Sequence, residues 1–146
     1  MGLFDAIDIS GSALSAERLR MDVTAENLAN AQTTRGPDGG PYRRKVVVLQ
    51  QSGRGFGSAL AGAMGPRSGG PAGVEVAAVA QDRAPARLVY DPGHPDADAL
   101  GYVLMPNVDP VTEMVDLITA SRGYEANVTA MQAAKAMFTK TLELLR

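Results

Sequence analysis

One histidine and three carboxylates fall within eight residues, in Asp91-Pro92-Gly93-His94-Pro95-Asp96-Ala97-Asp98. Imidazole nitrogen and carboxylate oxygen are the donors that zinc or calcium would take. Two prolines and a glycine make the stretch first of all a rigid turn, and the acidic twelfth position of a calcium loop is missing. No metal is assigned to it. Gly53-Arg54-Gly55-Phe56-Gly57-Ser58 follows a strand-like run, as a dinucleotide loop would, but serine stands where the third glycine of G-x-G-x-x-G belongs. No lysine follows in phosphate-loop register, so the stretch reads as a linker. No serine sits in G-x-S-x-G, and a lone histidine among prolines is a poor general base. These residues predict no enzyme, no cofactor and no metal site.

The remaining charge pattern points to contact rather than catalysis. Arg43, Arg44 and Lys45 are opposite in sign to Asp91, Asp96 and Asp98. Both groups can be plain solvated surfaces. The sharper expectation is that they meet between subunits and set the register of a polymer, since charge pairs discriminate between docking positions better than they add affinity. With a net charge of −2, 5% aromatic residues and no tryptophan, the chain lacks the attraction and stacking platforms that nucleic-acid binding uses. It has no run of about eighteen apolar residues to span a membrane, and its N-terminus lacks the basic start and apolar core of a cleavable signal peptide. On ordinary rules this predicts the cytoplasm. The absence of cysteine removes disulfides and thiolate chemistry but leaves the compartment open.

The elements that position these residues are dominated by two long helical patterns. Ile7, Leu14, Met21 and Leu28 recur every seven residues near the N-terminus, and Leu117, Tyr124, Met131, Phe138 and Leu145 do so near the C-terminus. A repeat of seven lays apolar side chains along one narrow seam, the spacing that lets two long helices pack side by side. A second N-terminal series, Ile9, Ala16 and Val23, is offset by two positions, about 200° around the helix. One partner helix cannot cover both sides. Opposite the Leu117 seam stand Ala126, Ala130, Ala133 and Met137, small or flexible side chains that let a neighbouring backbone approach closely. The pattern predicts a structural subunit whose terminal helices pack on each other and on neighbouring copies.

Local signals set the boundaries. The first helix is expected to start between Phe4 and Ser12 and to run to about Asn30, with Gly36 and Pro37 supplying the stop. Gly11 weakens its first turns, at about 1 kcal/mol relative to alanine. Residues 35–106 hold thirteen of the sixteen glycines and eight of the nine prolines, which predicts a loop-rich, short-stranded centre. Strands are expected at 41–50, 73–79 and 86–90, with a flexible loop over 52–73. Asp109 suits an N-cap with Pro110 in the first helical position, opening a helix that meets no further proline through Arg146. The expected fold is mainly α with a small β insert: an N-terminal helical arm over 1–34, a central β/loop region over 35–106 and a C-terminal arm over 107–146.

Ser10-Gly-Ser-Ala-Leu14, Asn27-Leu-Ala-Asn30 and Ser121-Arg-Gly-Tyr-Glu-Ala-Asn127 resemble the terminal signatures of bacterial flagellar axial proteins of the rod and hook class. The stretches Gly36-Pro-Asp-Gly-Gly-Pro-Tyr-Arg-Arg-Lys45, Tyr90 to Asp98 and Gly101-Tyr-Val-Leu-Met-Pro-Asn-Val108 are similar to the basal-body rod protein family, most of all its proximal rod members. The family motif positions carried over are Asn27, Asn30, Ser121, Arg122, Tyr124 and Asn127. The resemblance implies that the two arms form an inner coiled-coil domain, and that copies polymerise into the rod that transmits motor torque. It implies export without a cleaved signal through the flagellar type III apparatus, and a place in the rod within the periplasm. The implied neighbours are sister copies, FlgB, FlgF, FlgG and a FliE-type adaptor, without nucleic acid or direct membrane insertion. Asn27, Asn30 and Asn127 are expected either to set helix register as buried amides or to serve as plain caps. Another axial protein of the rod or hook class and a free-standing coiled-coil adaptor remain as alternatives; the adaptor would form a discrete dimer.

Overall fold

The computed structural model describes residues 3–36, 39–52 and 72–144. Their order is α1 (Leu3–Ala29), β1 (Lys45–Gln51), β2 (Val74–Gln81), β3 (Arg87–Tyr90), β4 (Tyr102–Met105) and α2 (Pro110–Leu144). The chain is thus mainly helical with a small β insert. β1 and β2 form one two-stranded sheet, and β3 and β4 a second, antiparallel one. The segment 53–71, which includes the dinucleotide-like glycines and most of the expected loop, lies outside the described residues.

α2 begins as its first residues dictate. The Asp109 carboxylate accepts from the Val111 amide at 3.3 Å and the Thr112 hydroxyl at 2.7 Å, while its carbonyl takes the Glu113 amide at 3.0 Å. Those hydrogen bonds, the Thr112 hydroxyl first, hold the Asp109 carboxyl below the usual carboxylate range. The cap is therefore in force at neutral pH and is lost only as pH falls through that lowered value.

The end of α1 differs from the sequence expectation. Gly36 is not its cap: the helix stops at Ala29, where the Asn30 side-chain amide donates to the Glu26 carbonyl at 2.9 Å. The chain then tightens through Ala31 N–H to Leu28 and Thr33 N–H to Asn30, bonds of a narrower helical turn. Gly36 instead exchanges backbone bonds with Gly39 and Gly40 in a separate turn, whose Gly39 takes the left-handed conformation at φ 77°. Backbone amides of this narrower turn take the Leu28 and Asn30 carbonyls, and the Asn30 side chain adds a second bond to that of Glu26, before the glycine is reached.

β4 has no counterpart among the expected strands. Its four residues are apolar throughout, so no polar alternation marks them, yet only Val103 and Met105 turn inward while Tyr102 and Leu104 are exposed. The β3–β4 connection turns back on Gly101, at φ 80°, where a Cβ would stand 2.9 Å from Tyr90 Cε2 and 3.2 Å from Pro92 Cβ. Gly101→Ala is expected to lower stability by about 1–2 kcal/mol from left-handed backbone strain alone, with the Tyr90 clash added. Urea denaturation checks this; a loss under about 0.5 kcal/mol, the scatter of ordinary surface changes, would count against it.

Packing sorts the chain into two compact units, Met1–Leu19 with Val48–Ala78 and Ala120–Arg146, and Arg20–Val47 with Val79–Thr119. In the first, the two helices meet through small residues: Ala16, Ala120 and Ala134 are buried, Gly11 lies near Met131, and Gly123 lies against the Glu17 side chain. Ser12 ties β2 to α1, its hydroxyl donating to the Ile9 carbonyl at 2.8 Å and accepting the Val74 amide at 3.1 Å. In the second unit Val23, Ala31, Val103, Pro106 and Val108 are buried together with three polar side chains, Thr24, Asn27 and Glu113.

Candidate functional site

Asn27 and Glu113 are each only 1% exposed, and burial of that depth requires partners for every polar atom. Asn27 has them. Its side-chain amide nitrogen donates to the Lys45 carbonyl at 2.8 Å and to Glu113 Oε2 at 3.0 Å. Its oxygen accepts from the Lys45 amide and from the Tyr42 hydroxyl, both at 2.9 Å. One side chain of α1 thus uses its whole donor and acceptor capacity to hold the entry of β1 and the first turn of α2. The second Glu113 oxygen takes Arg44 Nε at 2.5 Å, and Arg44 Nη2 reaches Asp116 at 3.2 Å. Asn107 Oδ1 accepts the Arg44 amide at 2.9 Å and completes the cluster.

The electrostatics follow from this geometry. Burial works to lower the Arg44 pKa, but the hydrogen bond and charge of Glu113, with Asp116 and Asp82, outweigh it and raise the value above normal. Tyr42 is pushed up to about 12 by burial and then by the charges of Glu26 and Glu113. Its folded value exceeds the ordinary one of about 10, so the neutral hydroxyl contributes stability in full below pH 10 or so, and this is lost as pH rises through the folded value. Titration of phenolate absorbance is expected to show a class with a midpoint near 12 that disappears in Tyr42→Phe. An unchanged titration in that variant would show that the hydroxyl does not sit between these charges.

The other positions marked by the sequence are distributed unevenly. Asn30 and Asn127 act locally, donating to the carbonyls of Glu26 and Gly123 at 2.9 and 2.8 Å. Of the three asparagines only Asn27 bridges elements. Arg44 and Lys45 have partners within the chain, Lys45 reaching Glu26 at 2.5 Å, and Asp96 pairs with Arg35 and takes the Thr34 hydroxyl at 2.8 Å. Arg43, Asp91 and Asp98 are exposed. Among the described residues no ion pair joins Arg43, Arg44 or Lys45 to the acidic turn. His94 is spent inside that turn, its Nδ1 accepting the Asp96 amide at 3.1 Å.

The helix positions also have definite places. Ile7, Ile9, Leu14, Met21 and Leu28 are half-buried and Val23 is buried on α1. On α2, Leu117, Tyr124 and Met131 are half-buried, as is Ser121, whereas Phe138 and Arg122 are exposed; Leu145 lies outside the described residues. The sequence reading missed Glu113, Asp116, Tyr42 and Asn107. A signal existed for the first of them. Glu113, Ala120, Asn127 and Ala134 form a second seven-residue series, four positions behind the Leu117 series, and it contains the three most buried side chains of α2.

No helix among the described residues is long and apolar enough to cross a membrane. The family model described as "Flagella basal body rod protein" matches residues 7–37, and that described as "Flagellar basal body rod FlgEFG protein C-terminal" matches residues 99–144. The chain is 49% identical over 148 residues to the flagellar basal-body rod protein FlgC of Bacillus subtilis strain 168, covering 99% of both chains. It is 49% identical over 144 residues to FlgC of Salmonella typhimurium strain LT2, covering 99% of this chain and 98% of that protein. With FlgC of Borreliella burgdorferi it shares 44% over 153 residues, covering 100% of this chain and 99% of the relative.

Proposed function

Because the chain belongs to the FlgC family of flagellar basal-body rod proteins, a structural subunit of the rod and not an enzyme, we propose that it polymerises through its terminal helices, which pair as a coiled coil and dock on adjacent subunits. The observation that carries this reading is the two-sidedness of α2. In its first turns Glu113 is buried while Val111, Met114, Val115 and Ile118 are exposed on the other side. Farther along, Ala120 and Ala134 are buried while Ala126, Ala130, Ala133 and Met137 are exposed. A helix apolar on both sides needs cover on both sides, and its own chain supplies one.

Other rod components are its associates, and the particular neighbours in this reading are sister copies, FlgB, FlgF, FlgG and a FliE-type adaptor. The chain travels unfolded through the flagellar type III export apparatus and assembles in the periplasmic part of the basal body. Load then passes through many parallel helix contacts, so no single interface need be strong. The clasp around Asn27 joins α1, the entry of β1 and the first turn of α2 within each subunit. Basal bodies imaged from cells lacking this chain are expected to end near the base of the rod. A rod of normal length in those cells would refute the reading.

A further inference from the structure

The β3–β4 hairpin has one covered face and one bare face. Its register pairs Leu88 with Leu104 and Tyr90 with Tyr102, and strand alternation sends all four to the side opposite Val89 and Val103. Val103 is buried, whereas these four and the adjoining Leu100 are between 43 and 75% exposed. The two tyrosine rings meet edge to face with centroids 5.3 Å apart, so the face is already ordered. Two tyrosines and three leucines at that exposure present several hundred Å², comparable with the largest patch of an ordinary monomer, about 300–600 Å² and often functional. Leu88, Tyr102 and Leu104 also line a groove of about 450 Å³ whose polar wall holds the paired Arg35 and Asp96, Thr34 and the carboxylate of Asp98.

The rim of this face is acidic. Asp91 and Asp98 are exposed, with carboxylates accepting backbone amides of their own turn, Gly93 for Asp91 and Leu100 and Tyr102 for Asp98. The same unit carries a basic edge. The Asp82 amide donates to the Arg44 carbonyl at 2.7 Å, and the residues flanking that pair, Arg43 and Arg83, are both exposed. The Asp82 carboxylate is turned to the Ala84 amide, 2.9 Å away. Val46 and Val79, both exposed, add apolar surface on the same ribbon.

We propose that the bare β3–β4 face and its acidic rim receive the Arg43/Arg83 edge of a second copy of this chain. Docking the face on itself would oppose Asp91 and Asp98 to their own counterparts, and like charges brought together discriminate against that pairing. Docking it on the basic edge is head to tail, the kind of contact that extends a filament wherever its rotation does not close into a ring. The proposal rests on the reading that copies of this chain are neighbours in the rod.

The lack of cysteine makes the test clean. A chain carrying Arg43→Cys with Asp91→Cys, treated in purified basal bodies with a short bismaleimide, is expected to give a ladder of cross-linked oligomers that neither single variant gives. Incorporation into basal bodies without a ladder overturns the contact while leaving the rod assignment intact. A cross-linked dimer from Asp91→Cys alone overturns the head-to-tail form. Charge exchange gives a second readout: Arg43→Asp and Asp91→Arg singly are expected to cut swimming at least tenfold, and the two together to restore it. Single variants that swim normally, or an exchange that restores nothing, overturn the proposal.

Discussion

Asn27→Ala is expected to cost the folded chain about 3–4 kcal/mol, because it strands the Glu113 carboxylate, the Tyr42 hydroxyl and both backbone groups of Lys45 at once. Each orphaned buried group costs roughly 1–3 kcal/mol, and part is regained as the site relaxes or admits water. Asn27→Asp separates hydrogen bonding from volume. It keeps the shape, replaces the donating nitrogen by an acceptor and sets a second negative charge against Glu113, so it is expected to be at least as damaging at neutral pH. Urea midpoints of the three chains decide the matter. A loss below about 1 kcal/mol in Asn27→Ala, the worth of one ordinary hydrogen bond, would mean the clasp does not hold these elements together.

Ile118→Glu is expected to do the opposite, leaving the free chain's stability within about 0.5 kcal/mol and abolishing swimming. Ile118 is 54% exposed, so a carboxylate there remains in water in the isolated subunit. In a rod that covers the outer side of α2, the same carboxylate would be buried without a partner, which costs several kcal/mol at every repeat of the contact. Ile118→Leu should swim normally. A swimming halo equal to that of the parent strain for Ile118→Glu, with the variant present in basal bodies, would show that this side of α2 stays wet in the rod.

The contrast between these two residues tracks what a sequence can carry. Seven-residue repeats are local and additive, so the two long helices could be read from Ile9, Ala16 and Val23 and from Leu117, Tyr124 and Met131. The start of α2 was equally plain, because Asp109, Pro110 and the Val111 amide and Thr112 hydroxyl that Asp109 binds lie within one helical turn. The family itself was legible in short motifs, since Asn27 to Asn30 and Ser121 to Asn127 are contiguous strings.

Other features depend on residues far apart in the chain. Nothing in its own surroundings distinguishes Asn27 from Asn30, yet one reaches across 86 positions to Glu113 and the other caps its own helix. Arg44 and Lys45 look like a solvated basic run until α2 and α1 bring Glu113, Asp116 and Glu26 to them. β4 becomes a strand because β3 is there to pair with it. Periodicity, caps and turn residues alone determined which segments are helical and that they are apolar on two sides, since those properties are decided within a few turns of backbone. The tertiary structure alone decided which polar groups are buried and which apolar face is left bare, because burial depends on what long-range contacts bring alongside.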